Sequence, residues 1–475
     1  MPRNIVMPQQ TWVPTNRNPI IQREFKGIDK RDPFSISPEF SPDLVNISLD
    51  QYPSLSVRPG YSVLGSAIGS KVLGLGVWKD SELHAVFNDG TWRKWTGSAW
   101  SAALVSGLDT SAPYSFCNFK GNLGDFNLIA CNGVGVPRRY DGSTVQNLTG
   151  APSGANFIDE HDNRLYAIVN GIEIHYCELS VPSNWTVIAQ NDSDPGTIIK
   201  EINTGKKIVG LKAGTGHVTV YFPTSMHELY GTSPSDFSMV EAANDIGAIN
   251  NNCAVNLDGV TYFVGDRGIY VYAGGARPNK RFSERVQWYI DNMNQAAKNT
   301  CCIGTDGLKL YVSIPMNSST APDTTLVYNP MFDTWEVWGG ISALCMAKVD
   351  RSFYYGESNG RVLLQGGTTD NGAQIASRWV THLFSNNSLA QRLRVHRIWS
   401  VSDIQPGSNM NIFLSKSVTG DSDWNLVGSV NSPVKRLIVP PSIASKANWA
   451  RLKIECLGQV ALHELSWEPK TGPLA

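Results

Sequence analysis

Three acids crowd one short stretch of this chain: Asp159, Glu160 and Asp162 stand just before the apolar run "RLYAIV". Paired carboxylates can hydrolyse a glycosidic bond, one as acid and one as base or nucleophile, if they oppose each other across roughly 5–10 Å. Acids bunched at one strand end read better as solvated loop groups. "DSDPG" (192–196) starts like a calcium loop, but its twelfth position is Asn203 rather than the bidentate Glu such a loop needs. The eight histidines are scattered without metal-ligand spacing. Gly74-Leu75-Gly76 and Gly133-Val134-Gly135 lack the third glycine and following helix of a dinucleotide site. There is no Walker loop, HExxH or GxSxG motif. Eight cysteines include no CxxC pair, and adjacent Cys301 and Cys302 would face opposite sides of a strand, so reduced, buried thiols are expected. The basic stretch "QRLRVHRIW" (391–399) fits a solvated strand face better than a nucleic-acid site. No catalytic set, metal or cofactor is therefore expected, and the chain does not read as an enzyme.

The elements that would carry such groups are short. The 475 residues include 43 glycines and 14 tryptophans, and aromatics make up 10%, a composition suited to many short strands between turns. The net charge of −1 with only 17% charged residues disfavours a strongly basic nucleic-acid binder. No apolar run approaches the ~18 residues that would span a bilayer. The opening residues lack the apolar core and cleavage site of a signal peptide, so synthesis in a cytosol is expected.

Residues 257–275, "LDGVTYFVGDRGIYVYAGG", form a hairpin pattern that recurs. Corresponding turns at Asp80, Asp125, Asp162, Gly214, Asp258, Asp306 and Asp350 lie 37–52 residues apart, close to the period of propeller blades. One hairpin cannot bury its apolar face, but small sheets arranged radially bury one another and leave only short edges. The expected fold is all-β: a β-propeller of six to seven blades over 61–375. "FNDGTWRKW" (87–95) resembles the Asp-box turns of sialidase-like propellers, but Gly90 follows Asp89 directly and no repeat restores the spacing.

Both ends depart from the repeat. Residues 1–60 hold nine prolines, with Arg3, Arg17, Arg23, Lys26, Lys30 and Arg31 against Glu24 and Asp29 before residue 32. Proline favours extended chain, so this is expected to be an arm lying on the body or on a neighbouring subunit through Ile5, Val6, Trp12, Val13, Ile20, Ile21 and Phe25. Residues 376–475 alternate with period two and read as a C-terminal β-sandwich-like unit or an elaborated last blade. One helix is expected over "SERVQWYIDNM" (283–293), with Ser283 as N-cap and Val286, Ile290 and Met293 on one face.

Four stretches together resemble the tail hub or nozzle proteins of short-tailed (podovirus) bacteriophages, also called packaged DNA stabilisation proteins. They are "NISLDQYPSLSVRPGY" (46–61), "ANDIGAINNNCAVNLDGVTYFVGDRGIYVY" (243–272), "RFSERVQWYIDN" (281–292) and the closing strands from "LRVHRIWSV" to "LHELSWE". The resemblance implies a propeller that assembles as a ring, a hexamer, below the portal and its adaptor in the virion tail. That ring would continue the DNA channel, help retain the genome, touch passing DNA only transiently and carry a needle or plug and fibres or spikes. The alternatives are a receptor-binding or fibre-anchoring propeller and a carbohydrate-active propeller enzyme. Arg58, Pro59, Gly60, Gly247, Gly265 and Gly268 are expected to be structural, the glycines by supplying turn dihedrals.

Overall fold

The computed structural model describes residues 19–188, 190–202, 204–275, 277–385, 392–418 and 423–471. Seven small antiparallel sheets follow one another along residues 72–365. Their first strands begin at Val72, Ser115, Phe157, Gly210, Ala254, Cys302 and Ala343. These strands pack side by side in chain order, and the seventh touches the first, so the sheets form a closed ring of seven blades. The turns at Asp80, Asp125, Asp162, Gly214, Asp258, Asp306 and Asp350 each join the first two strands of one blade. Asp162 and Asn163 (φ 48° and 58°), and Asp258 and Gly259 (φ 52° and 76°), adopt the left-handed backbone that matches the strand twist in a tight hairpin.

Alternation along the strands explains why the sheets stand radially. In Arg164–Val169, Leu165, Ala167 and Val169 pack toward blade two, while Tyr166 and Ile168 pack toward blade four. Ala85 and Phe87 likewise face blade seven while Val86 faces blade two. Both faces of each blade thus carry apolar side chains, and an apolar cluster joins each pair of neighbours. Cys301 and Cys302 follow the same rule: one joins the seam of blades five and six, the other that of six and seven. All eight cysteines are free and buried.

The ring is closed by the other end of the chain. Tyr61–Val63 forms the outer strand of blade seven, pairing Val63 with Leu363 and Tyr61 with Gln365. Residues 376–471 and 20–57 then build a β-sandwich jointly. One sheet holds Ile20–Gln22, Ile47–Ser48, Leu55–Val57, Val460–Thr471, Leu393–Ile404 and Val434–Ile438. The facing sheet holds Leu44–Val45, Ala376–Val380, Arg451–Leu457, Asn409–Ser415 and Asn425–Val430. Trp379, Ile398, Ile412, Ile454, Leu465 and Trp467 fill the space between them, and this core runs on without a break into blades five and six.

Over its described part, the proline-rich stretch supplies strands of this sandwich. Phe25 and Ile28 are fully buried, Phe25 meets the Trp379 ring edge-on at 5.3 Å, and the Ile28 N–H donates to the Trp335 carbonyl at 2.7 Å. A Cβ at Gly27 would lie 1.9 Å from the Trp335 oxygen, so only glycine lets the backbone cross blade six so closely. Arg3, Ile5, Val6, Trp12, Val13 and Arg17 lie outside the described residues.

The expected helix is shorter than its pattern and differently anchored. A 3-10 turn at Glu284–Val286 runs into a single α-turn at Gln287–Asp291, with Val286, Ile290 and Met293 buried as the periodicity implies. Ser283 holds the expected N-cap position ahead of the 3-10 turn, but its side chain makes no capping hydrogen bond. Its backbone (φ −90°, ψ 12°) is not extended, and its hydroxyl instead accepts from the Ile269 N–H (3.1 Å) and donates to Gln287 Oε1 (3.0 Å). The serine ties the helix to blade five.

Candidate functional site

The inner strands of the propeller begin on one face, and there the axis opens into a chamber of about 460 Å³. Its wall is assembled from the residues that lead into six blades: Lys71 to Leu73, Tyr114 and Ser115, Asn156 and Phe157, Asn250 to Asn252, Asn299 to Cys301, and Leu344. Asn132, Ser111, Pro113, Thr320, Ala321 and Ser358 complete it from neighbouring loops.

Asn251 closes the floor. It is buried in the 3-10 turn Asn251–Cys253 that precedes blade five. Its amide donates to Ser115 Oγ of blade two at 3.3 Å and its oxygen accepts from the Leu211 N–H of blade four at 3.0 Å. Blades two and five stand on opposite sides of a seven-membered ring, so this one side chain spans the axis. Beyond it lies a second cavity of about 260 Å³ that holds Lys212 and Lys348. Two cavities therefore flank Asn251, one with Lys71 in its lining and the other with Lys212 and Lys348. Replacing Asn251 with Ala strands the buried Leu211 N–H; the expected loss is about 1–3 kcal/mol, read from the midpoint of denaturant unfolding.

The chamber's chemistry follows from its lining. Among the described residues Lys71 is the one charged side chain of the lining, which includes no Asp, Glu, Arg or His. Asp109 beside the rim is already committed: it accepts from the Ala112 and Ser111 N–H groups (2.8 and 3.0 Å) and from Asn132 Nδ2 (3.2 Å). The Ala112 and Ser111 donors outweigh burial and hold its carboxyl below the usual range, the reverse of what a general acid needs. Burial, with Asp109 nearby, pushes the Tyr114 phenol up to about 12. The lining can exchange neutral hydrogen bonds and apolar contacts, and it holds no pair of groups for acid–base work.

The three acids noted in the sequence lie at the far end of blade three's first hairpin. Asp159 accepts from the N–H groups of Glu160 and Ala213 (both 3.0 Å), and Glu160 from that of Asn163 (3.0 Å). Asp162 sits 3.3 Å from His161 in the turn itself. They brace turns. At 192–196, the Asp194 carboxylate accepts from the Gln190 and Asn191 N–H groups, both at 2.8 Å. Among the described residues no cluster of three or more His, Cys, Asp or Glu could hold a metal.

The six residues expected to be structural form two groups, and none lines the chamber. Arg58, Pro59 and Gly60 lie where the sandwich meets blades six and seven. Gly247, Gly265 and Gly268 lie in and beside blade five. The reason expected for the glycines does not hold, since none of the four has a positive φ. Space decides instead at three of them. A Cβ would lie 2.0 Å from the Thr369 oxygen at Gly60, 1.8 Å from the Phe222 oxygen at Gly247, and 2.5 Å from the Gly247 oxygen at Gly265. At Gly268 the nearest atom is Ser283 Oγ at 3.2 Å, a milder restriction. Asn251 itself was passed over in the sequence; its only signal is the run of three asparagines ahead of a strand.

No family model matches this chain, and no curated protein matches it. Among solved structures it is similar to the WD40 β-propeller domain of Doa1, with 10% identity, 65% of this chain and 97% of that one covered, and a TM-score of 0.41. BamB from Moraxella catarrhalis gives 9% identity over 62% and 96%, with a TM-score of 0.39. YCF48 bound to D1 peptide gives 10% over 65% and 99%, with a TM-score of 0.42. At these TM-scores the likenesses carry no argument; the closed ring of seven small antiparallel sheets by itself makes this chain an all-β protein built on a β-propeller.

Proposed function

We propose that this chain is a structural subunit of a short-tailed phage tail, the hub or nozzle ring below the portal and adaptor. One observation carries the reading. The four stretches that bear the resemblance are far apart in sequence, yet they contribute to a single core. Leu49 and Val57, Val264 and Ile269, Val286 and Ile290, and Leu393, Ile398 and Trp467 all belong to it. What resembles the family is thus one connected body, the sandwich with blade five and the helix, rather than scattered patches. The nearly neutral chain suits a surface that lets DNA slide past, because each phosphate contact adds salt-dependent affinity.

Since Asn251 spans the propeller axis, DNA in this reading runs through a channel enclosed between subunits, not through the propeller. Adaptor, needle and fibre partners belong to the same proposal. Quantitative mass spectrometry of purified virions tests it by counting this chain against the twelvefold portal. Half the portal's abundance is expected for a sixfold ring with closed symmetry. Absence from the particle, or a count that fits no ring, overturns the reading.

A further inference from the structure

The chamber at the mouth of the propeller axis carries more hydrogen-bonding capacity than the fold uses. The side-chain amides of Asn156, Asn252 and Asn299 line it, and none of the three makes a hydrogen bond among the described residues. The Asn250 amide nitrogen is already committed, donating to the backbone oxygens of Asn299 (3.0 Å) and Cys301 (3.1 Å). The other three side chains come from the loops ahead of blades three, five and six, so only ring closure brings them together.

The type of ligand follows from what the wall offers and omits. An amide presents two donors and one acceptor oxygen in a fixed plane, a match for groups that both donate and accept, such as hydroxyls. A charged ligand would lose its water and find no counter-charge except Lys71, which acts against cations and gives an anion a single partner. Half-buried Phe157 and the aliphatic wall at Leu73 and Leu344 supply apolar surface for C–H faces. Shape narrows the choice further. The Asn251–Ser115 bridge closes the floor, so an extended chain cannot thread through. The chamber admits an end group, and about 460 Å³ falls in the range of small-ligand sites.

We infer that this chamber is a binding site for the terminal unit of a neutral sugar chain, held by Asn156, Asn252 and Asn299. Binding, not cleavage, is the activity, since the wall holds no carboxylate pair. The inference does not rest on the hub reading, and copy number in the virion judges that reading separately.

Saturation-transfer NMR on the full chain tests it, with maltose, cellobiose and N,N′-diacetylchitobiose as neutral probes. N-acetylneuraminic acid and glucose 6-phosphate serve as charged comparators. At least one neutral probe is expected to bind in the millimolar range or tighter, with the charged sugars at least tenfold weaker. Asn156→Ala and Asn252→Ala should each weaken binding by about tenfold, one lost hydrogen bond apiece. Asn299→Trp fills the chamber from its exposed rim and should abolish binding while the circular dichroism spectrum and Tm stay unchanged. The inference is overturned if no neutral probe binds at tens of millimolar. It is equally overturned if charged sugars bind as well, or if Asn299→Trp binds like the parent.

Discussion

Arg58→Ala is expected to lower the unfolding free energy by about 3–5 kcal/mol, the usual cost of removing one partner from a buried ion pair. The side chain is fully buried, and all five guanidinium donors are used. Nε donates to Asn46 Oδ1 (2.8 Å), one terminal nitrogen to the Pro59 carbonyl and Asp370 Oδ1 (both 2.9 Å), the other to the Gly339 carbonyl (2.9 Å) and Asp370 Oδ2 (2.8 Å). The plane also lies over the Trp338 ring, 5.8 Å from its centre. One residue thereby joins the sandwich at Asn46, blade six at Gly339 and the segment that follows blade seven at Asp370. Truncation leaves a cavity, an uncompensated carboxylate, and the Pro59 and Gly339 carbonyls without the arginine donors, while Asn46 Oδ1 keeps the Gly339 N–H (2.8 Å). Arg58→Lys should recover only part of the loss, because an ammonium has three donors and no fork. The measurement is the denaturant midpoint, with Asp370→Ala and the double variant closing a cycle. A loss below about 1 kcal/mol, the scale of a surface pair, would show that this junction is not what locks the ring.

Lys309→Met should be comparably costly near neutral pH, and its cost should depend on pH. Lys309 Nζ lies 2.6 Å from Asp50 Oδ1, 3.3 Å from Ser48 Oγ and 3.6 Å from Glu336 Oε1. Burial works against the ammonium, but Glu336 and Asp50 outweigh it and raise its pKa above the ordinary value. Glu336 is fully buried and accepts from the Leu49 N–H (2.9 Å) and from Trp338 Nε1 (3.1 Å). Burial raises the Glu336 carboxyl above its usual 4.5 even with the lysine present. A carboxyl raised in the folded state favours folding in its protonated form. That contribution is complete below 4.5 and is lost as pH rises through the folded value. Without Lys309 the folded value climbs further, so the variant should approach the parent in acid and fall behind by about 3–5 kcal/mol at neutral pH. Adding Glu336→Gln should flatten the difference. A gap that stays constant from acid to neutral pH would rule this account out.

Much of the fold was legible because it is written in local rules. A two-residue period with a turn every few strands requires small sheets with two apolar faces, and Leu165 to Val169 show both faces being used. The seven turns from Asp80 to Asp350 mark the seven blades one for one, since tight hairpins select Asp, Asn and Gly by backbone conformation. The burial of all eight cysteines follows from the same periodicity.

What the sequence by itself determined is the material of each blade, its strands, turns and alternating faces, because neighbours along the chain decide those. Tertiary structure decided everything that depends on which distant edges meet. Nothing local pairs Tyr61–Val63 with residues 363–365, or sends Leu44–Val45 and Ile47–Ser48 into opposite sheets of one sandwich. Gly60, Gly247 and Gly265 are required by backbone crossings that exist only in the assembled ring, so a reading from turn dihedrals named the positions but missed the cause. Ser283 takes the N-cap position that the sequence marks, but its hydroxyl is engaged by the Ile269 N–H of another element instead of capping the turn. The chamber is the extreme case. Its amides are unremarkable loop residues along the chain, and only closure of seven blades turns them inward around Asn251.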